Sequence, residues 1–350
     1  MAQSESEPTR LRVLHLTGSA VSDQMVDLSL LYARGALDAL EASHGGTQYA
    51  TFLAHVSPDG QWRFPDDLST ETIEAAPPMS LADAISRLVD LRIDLVVPQM
   101  FCLPGMTTYR SLMDALGLRV LGNPADVMAL GAHKARARAV VSSAGVSVPR
   151  GELLRAGDPP TLAPPVVIKP VDADNSVGVT LVREDAAYHE ALRGAFAHSR
   201  EVLVEEFVEL GREVRCGVLD RGGELLCLPL EEYAVDPLTK PIRGEDDKLR
   251  RGDDGQLGLV AKDAEHAWIV EGDDPVVPAV HEAARRAHRA MGCRDYSLID
   301  LRIDPAGEPW FLEASLYCSF APTSVLAVMA GSAAIGVDEL FASLAASAVK

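Results

Sequence analysis

The sequence predicts an α/β protein in which an N-terminal parallel-sheet domain precedes two α+β blocks. Three observations carry this. Short apolar strands alternate with helical patterns through the first 144 residues, which builds a parallel sheet with ligands at the strand ends. The 350 residues exceed what one small core organises and suit two or three subdomains. Long strands ending in a hairpin fill the last third.

The elements follow in order. Residues 11–17, LRVLHLT, form a strand ending at Gly18-Ser19, and a helix runs from about Asp23 to Leu40. The helical 81–91 segment leads into a buried strand at 93–97. Residues 112–116 are helical, 120–122 form a strand, and a helix covers about 125–144. The Pro- and Gly-rich stretch 149–165 reads as a linker around a short strand at 152–154. From Val166 to about Glu209 the pattern is strand, small-residue loop, strand, helix, strand. From Glu213 onward come long strands, an acidic loop near 236–256, a helix at 275–291, the hairpin and an Ala-rich helical tail. The expected boundaries are 11–124, 125–209 and 210–350.

The hairpin, YSLIDLRIDPAGEPWFLEASLYCSF at 296–320, is the most informative stretch. Ile299, Leu301 and Ile303 alternate with Leu298, Asp300 and Arg302, the period of a strand. Asp304-Pro305-Ala306-Gly307 supplies turn residues. A loop over 305–308 pairs Asp304 with Pro309 and sets Asp300 opposite Glu313, with cross-strand neighbours about 5 Å apart. Carboxylates that close repel unless they are protonated or bridged by a cation, and hard oxygen ligands suit Mg²⁺. The alternative for the hairpin taken alone is a surface pair of solvated acids.

Composition narrows the function classes. Hydrophobic residues make up 47% and charged ones 24%, a globular balance. The net charge of −19 argues against nucleic acid or anionic lipid as a partner, so an anionic ligand must be held by local cations and backbone N–H groups. Five widely spaced cysteines without a CxxC pair make a disulfide framework or structural zinc site improbable. The polar start lacks the apolar core of a signal peptide, and no apolar run reaches membrane-spanning length, so a cytoplasmic protein is expected.

Val166-Val167-Ile168-Lys169-Pro170 is a buried strand that delivers a lysine at its end, before the small-residue loop 174–179. Backbone N–H groups in such a loop approach phosphate closely, and the ammonium neutralises it. A solvated strand end is the plainer reading of the same residues. Val202 to Val208 is a strand running into Glu205 and Glu206, followed by Gly211-Arg212-Glu213. Its polar end suits an adenine edge and a ribose diol, or else an exposed edge strand.

Taken together, the order Lys134, Lys169 with its loop, Glu205 to Val208, Glu213, Asp300 and Glu313 resembles ATP-grasp ligases of the D-alanine–D-alanine ligase type, over nearly the whole chain. The resemblance implies a three-domain ATP-grasp fold with ATP clamped between the central and C-terminal domains. It implies that Lys134 and Lys169 bind phosphates, with Lys169 also catalytic. Glu205, Glu206, Phe207 and Val208 would form the adenine hinge, and Glu213 would hold ribose. Asn175, Ser176 and Gly178 would belong to the phosphate loop, Lys248 would contact the γ-phosphate, and Asp300 and Glu313 would bind Mg²⁺.

Three departures mark this chain. Leu298 stands where such ligases carry an arginine, two residues before the metal aspartate. Ser315 stands where they carry a metal-binding asparagine. Arg302, on the same strand face, is the expected substitute cation, and Ser315 the expected substitute ligand. At 100–107, where the first-substrate motif belongs, the chain reads MFCLPGMT, so Met100 and Phe101, with Leu298 and Ser315, are expected at the acceptor, and Asp23 in place of the ligases' N-terminal glutamate; the alternative for 100–107 is a loop that packs on core. PQMFCLPGMTTYR at 98–110 and LEASLYCSFAPTSVLAVMA at 312–330 resemble the branch that joins an amino acid to mycosporine-glycine. That branch implies phosphorylation of a ring carbonyl and its replacement by an amine, giving an imine. The alternatives are a dipeptide-type ligase acting on ordinary carboxylates, and a non-catalytic nucleotide-binding relative. Small-molecule partners, an acceptor and an amino acid, are expected, and a homodimer is allowed.

Overall fold

The computed structural model describes residues 10–44, 49–174, 176–244, 249–251, 257–259 and 266–349. The chain opens with β1 (Leu11–Gly18), α1 (Asp23–His44), β2 (Tyr49–Val56), β3 (Trp62–Arg63), α2 (Thr70–Ala75), α3 (Leu81–Asp90), β4 (Leu95–Pro98), α4 (Leu103–Met106) and α5 (Thr108–Ala115). It continues through α6 (Ala125–Gly131), α7 (Lys134–Ser143), β5 (Gly151–Arg155), β6 (Val166–Pro170), β7 (Thr180–Val182), α8 (Asp185–Phe196), β8 (Glu201–Glu206), β9 (Arg212–Arg221) and β10 (Glu224–Cys227). Then come β11 (Glu231–Tyr233), β12 (Leu249–Arg251), β13 (Leu257–Leu259), β14 (Ala267–Ile269), α9 (Val277–Ala290), β15 (Tyr296–Ile303), β16 (Pro309–Ser315), α10 (Val325–Ser332) and α11 (Val337–Ala348).

Two compact units result. One holds residues up to Ala125 together with Tyr317 onward, and the other holds Asp126–Leu316. The tail from 317, which the sequence reading gives to the third block, therefore folds with the first. Phe341 on α11 meets the rings of Tyr49 and Phe320 there, at 5.2 and 5.1 Å.

The first unit is built on a sheet of order β3-β2-β1-β4, with β1 parallel to both β2 and β4. Leu14, Leu16, Val56, Trp62, Leu88, Val96 and Met100 form its buried core. The expected strand at 120–122 is reduced to a single bridge, Val96 to Val120. The expected helix over 125–144 is two helices, broken at Ala132-His133, where the His133 imidazole accepts the backbone N–H of Arg136. Ser80 caps α3 by accepting from the Asp83 N–H, so a serine just before the apolar pattern fixes where that helix begins.

The second unit holds two larger antiparallel sheets and the two-stranded pair β12-β13. One has the order β5-β8-β6-β7, with α8 packing Tyr188, Leu192 and Ala195 on Ile168, Val202 and Val204. The other has the order β14-β11-β9-β15-β16, with β10 on β9. All eight residues of β15 are buried, so its acids do not stand on an open surface hairpin. Asp300 does pair with Glu313 and Leu298 with Ser315. The turn closes one residue earlier than the sequence suggests, with Ile303 opposite Pro309, and a bulge at Leu312 restores the register. Asp304 sets the turn, its Oδ1 accepting the N–H groups of Ala306 and Glu308 at 2.9 and 3.0 Å and its Oδ2 the Trp310 indole at 2.9 Å.

Among the described residues no single helix is long and apolar enough to cross a membrane. α10 and α11 are apolar together but bend by 107°, and they bury Leu326, Met329, Leu340 and Phe341.

At the end of β1, Gly18 has φ +93, and a Cβ there would lie 2.0 Å from the Val56 carbonyl oxygen. The obstacle is backbone of a paired strand and cannot swing away. Gly18→Ala is expected to cost about 3 kcal/mol or more, read as a drop in the denaturant midpoint with an unchanged slope.

Candidate active site

A cleft of about 730 Å³, counted to its open mouth, lies in the second unit between its two larger sheets. Val167 from β6, Val179, Val208, Ile242, Pro149 and Leu312 give it apolar walls. Leu312 is the residue left over by the β16 bulge. Lys134, Lys169, Ser176, Glu206, Glu213, Arg302 and Glu313 bring polar groups to the same space, with Glu205 and Asp300. The sequence reading singled out all nine.

On the first sheet, Lys169 is held by Glu205 at 2.5 Å, and the other oxygen of Glu205 meets Arg138 at 3.2 Å. Glu205 is 2% exposed, and its strand is hydrogen-bonded on both sides. Its carboxylate anchors the lysine at the wall of the cleft, beside the 206–208 segment expected as the adenine hinge. Glu206 reaches outward to Arg150 at 2.7 Å. Phe207 lies off the cleft wall, its ring facing the guanidiniums of Arg183 and Arg302 at 5.6 and 5.2 Å. Val208 is on the wall, and its carbonyl accepts Arg302 at 3.2 Å.

Ser176 and Gly178 turn the loop with φ 62 and 70. A serine in the left-handed region is strained, and such strain gathers at ligand-holding loops. Lys134 opens α7, donates to the Ala173 carbonyl of this loop and meets Glu313 at 3.6 Å. Asn175 and Lys248 lie outside the described residues.

On the second sheet one rung crosses four strands: Glu231, Arg215, Asp300, Glu313. Arg215 holds Asp300 with two parallel hydrogen bonds, Nε to Oδ1 and Nη2 to Oδ2, the latter at 2.6 Å. The pair of acids is therefore balanced by a cation on either side, Arg215 and Lys134. Burial works against the charge on Arg215, but Asp300 and its other neighbours outweigh it and hold its pKa well above the usual guanidinium value. Burial likewise pushes the Tyr233 phenol up, and its hydroxyl donates to Glu231 at 3.1 Å.

The next rung toward the turn joins Glu213 to Arg302 at 2.8 Å. Arg302 also donates to the Pro241 carbonyl at 2.9 Å. The expected substitute cation is thus bound one rung away, and the guanidinium on Asp300 comes from β9. On the opposite side, buried Leu298 faces half-buried Ser315, off the cleft wall.

Asp23, Met100 and Phe101 belong to the first unit. Asp23 is the exposed first residue of α1. Met100 is 1% exposed within the core, and Phe101, 3% exposed, meets the rings of Tyr32 and Tyr317 at 5.4 and 5.5 Å. Their side chains pack the unit, in keeping with the alternative reading of 100–107 as a loop on core.

Sequence reasoning missed Arg138, Arg215, Glu231, Tyr233 and Arg243, the last lying 3.5 Å over the Tyr233 ring. A signal existed for Arg215: it interrupts the apolar run of β9, and a charge inside a buried strand requires a partner.

Comparison with known proteins identifies the family. The family model for the D-ala D-ala ligase C-terminus matches residues 158–346. The D-alanine–D-alanine ligase of Methylorubrum populi is 30% identical over 271 residues, covering 74% of this chain and 82% of that protein. The chain belongs to the D-alanine–D-alanine ligase family. The D-alanine–D-alanine ligase of Citrifermentans bemidjiense is 29% identical over 66% of this chain and 70% of its own. The VanG D-Ala:D-Ser ligase of Enterococcus faecalis superposes with a TM-score of 0.78 at 22% identity, covering 96% of this chain and 98% of that one. The Bacillus anthracis D-alanine–D-alanine ligase complexed with ATP gives 0.71 at 16% identity, with 98% of each chain covered.

The fold is ATP-grasp, and this member is a C–N bond-forming ligase with ATP and Mg²⁺ as cofactors. The residues fit both. Apolar walls suit a planar base, and two lysines with a turning loop suit phosphates. Among the described residues no group of three or more His, Cys, Asp or Glu is placed to hold a metal. The Asp300–Glu313 pair matches the habit of Mg²⁺, which takes one or two carboxylates and completes its shell with phosphate oxygens and water.

Lys169→Ala removes the charge at the end of β6 and leaves Glu205 to Arg138 alone. We expect a loss of about 2–4 kcal/mol in kcat/KM for ATP. Wild-type kinetics in this variant would reject the assignment of β6 to phosphate.

Proposed function

We propose that this ligase joins the amine of an amino acid to a ring carbonyl, with mycosporine-glycine as acceptor and serine, threonine or glycine as donor, giving an imine. The observation that carries the reading is the rung beside Asp300. There a buried Leu298 faces Ser315, and the guanidinium at the metal aspartate arrives from β9 instead. An arginine at 298 suits a carboxylate-derived acyl phosphate; a leucine suits an uncharged ring. The resemblance of residues 98–110 and 312–330 to the mycosporine branch supports the same acceptor.

Bound ATP supplies the phosphoryl group that turns the carbonyl oxygen into a leaving group, and Mg²⁺ offsets the phosphate charge. The chain's own residues position and balance charge. Lys134 and Lys169 take phosphate oxygens, with the loop around Ser176 and Gly178 closing on them. Glu213 takes the ribose, and Asp300 and Glu313 hold the cation. The amine's lone pair adds to the phosphorylated carbon to form the C–N bond, the C–O bond breaks with phosphate leaving, and the proton the amine sheds passes to that phosphate. No side-chain nucleophile is required.

The relatives' names favour a second reading, a dipeptide-type ligase using ordinary carboxylates. A non-catalytic relative would have no reason to keep both lysines and both acids.

Purified protein with ATP, Mg²⁺, mycosporine-glycine and each amino acid is expected to yield the imine by mass spectrometry, and no D-alanyl-D-alanine from D-alanine. Efficient dipeptide formation without the imine would establish the second reading. Leu298→Arg buries a charge in the rung next to Asp300, so kcat/KM for the ring acceptor is expected to fall at least about tenfold, whereas Ser315→Asn is expected to be tolerated. Asp300→Ala and Glu313→Ala are each expected to abolish Mg²⁺-dependent phosphate release, and the double variant to be little worse. Mild, additive effects would return these acids to a purely structural role.

A further inference from the structure

Arg215 stands between two carboxylates. On one side it grips both oxygens of Asp300, and the two side chains are only 11% and 7% exposed. On the other side its cross-strand neighbour is Glu231, 2% exposed, which already accepts the Tyr233 hydroxyl at 3.1 Å. The Tyr233 ring lies 5.7 Å from the Arg215 guanidinium, so an apolar face accompanies the side chain between the two acids. A guanidinium that fills both oxygens of a carboxylate opposes a cation there twice over: it occupies lone pairs, and it adds positive charge in a site of low dielectric.

We propose that Arg215 is a positioning residue that competes with the divalent cation for Asp300, and that Glu231 is the seat it takes when the cation binds. In either arrangement the three carboxylates outnumber Arg215 and Lys134 by one charge, which a divalent cation at Asp300 and Glu313 offsets. With Arg215 on Asp300, the Tyr233 hydroxyl serves Glu231; with Arg215 turned to Glu231, Asp300 offers free oxygens beside Glu313. The inference rests on the metal role proposed for Asp300 and Glu313.

The test is Mn²⁺ binding to the full chain by calorimetry, without nucleotide so that phosphates do not chelate the ion. Asp300→Asn checks the underlying reading: unchanged Mn²⁺ affinity means that Asp300 is not a metal ligand and removes the basis of the inference. Given a loss there, Arg215→Gln is expected to tighten Mn²⁺ about tenfold, and Glu231→Gln to weaken it several-fold. In the Arg215→Gln background the effect of Glu231→Gln is expected to shrink, because Glu231 then has no guanidinium to accept. A merely structural Arg215 predicts unchanged or weaker Mn²⁺ binding in Arg215→Gln, and that result overturns the proposal. So does an effect of Glu231→Gln that persists undiminished in the double variant. Should Arg215→Gln fail to fold, Arg215→Lys carries the test. A single-point ammonium frees one oxygen, so about threefold tightening is expected, and unchanged or weaker binding overturns the proposal.

Discussion

Four charged side chains on one rung of a buried sheet, Glu231, Arg215, Asp300 and Glu313, with Lys134 at its end, form the constraint on which the second unit depends. Charges taken from water are costly unless each has a well-placed opposite, and removing one partner strands the others. This row satisfies the requirement by alternation on one side and by Lys134 on the other. It also fixes register. A slip of one residue in β15 would send Asp300 to the far face and leave Arg215 facing an apolar side chain. The Asp304 turn and the Leu312 bulge hold that register locally, and the bulge sends one apolar residue toward the cleft.

The first sheet of this unit solves the same problem with Glu205. Its carboxylate, deep in the centre strand, is divided between Lys169 and Arg138, which fixes the lysine ammonium at the end of β6. A long, flexible cation becomes a preorganised one because its partner is rigid. The apolar side chains of both sheets then have polar ends arranged around them, as a purine nucleotide with its phosphates demands.

The departures from the family's pattern form a consistent set once the strands are laid side by side. The leucine two residues before Asp300 does not leave that acid without a guanidinium, since Arg215 on the neighbouring strand provides one. What changes is direction: positive charge comes from β9, and the rung of Leu298 and Ser315 carries none.

Much of this was legible in the chain. Alternation in 296–303, the Asp-Pro-Ala-Gly turn and the apolar strand after it announce a hairpin with Asp300 opposite Glu313, but the turn closes one residue early and that pairing depends on the bulge at Leu312, which no local rule shows. The lysine ending β6 and the acids ending β8 were legible because strand period is a local property. Local rules could not show which charges meet. Arg215 lies 85 residues from Asp300, and Lys134 lies far upstream of Glu313. Nor could they show that Glu205 serves a lysine or that Arg302 is bound to Glu213, and for Met100 and Phe101 they left an acceptor-facing loop and a loop on core both open. The tail beyond Tyr317 reads as helix from composition, yet its return to the first unit depends on distant surfaces such as Tyr49. Sequence period sets the face on which a residue lies; only the order of strands in the sheet decides what stands opposite, and for buried charges that neighbour sets the function.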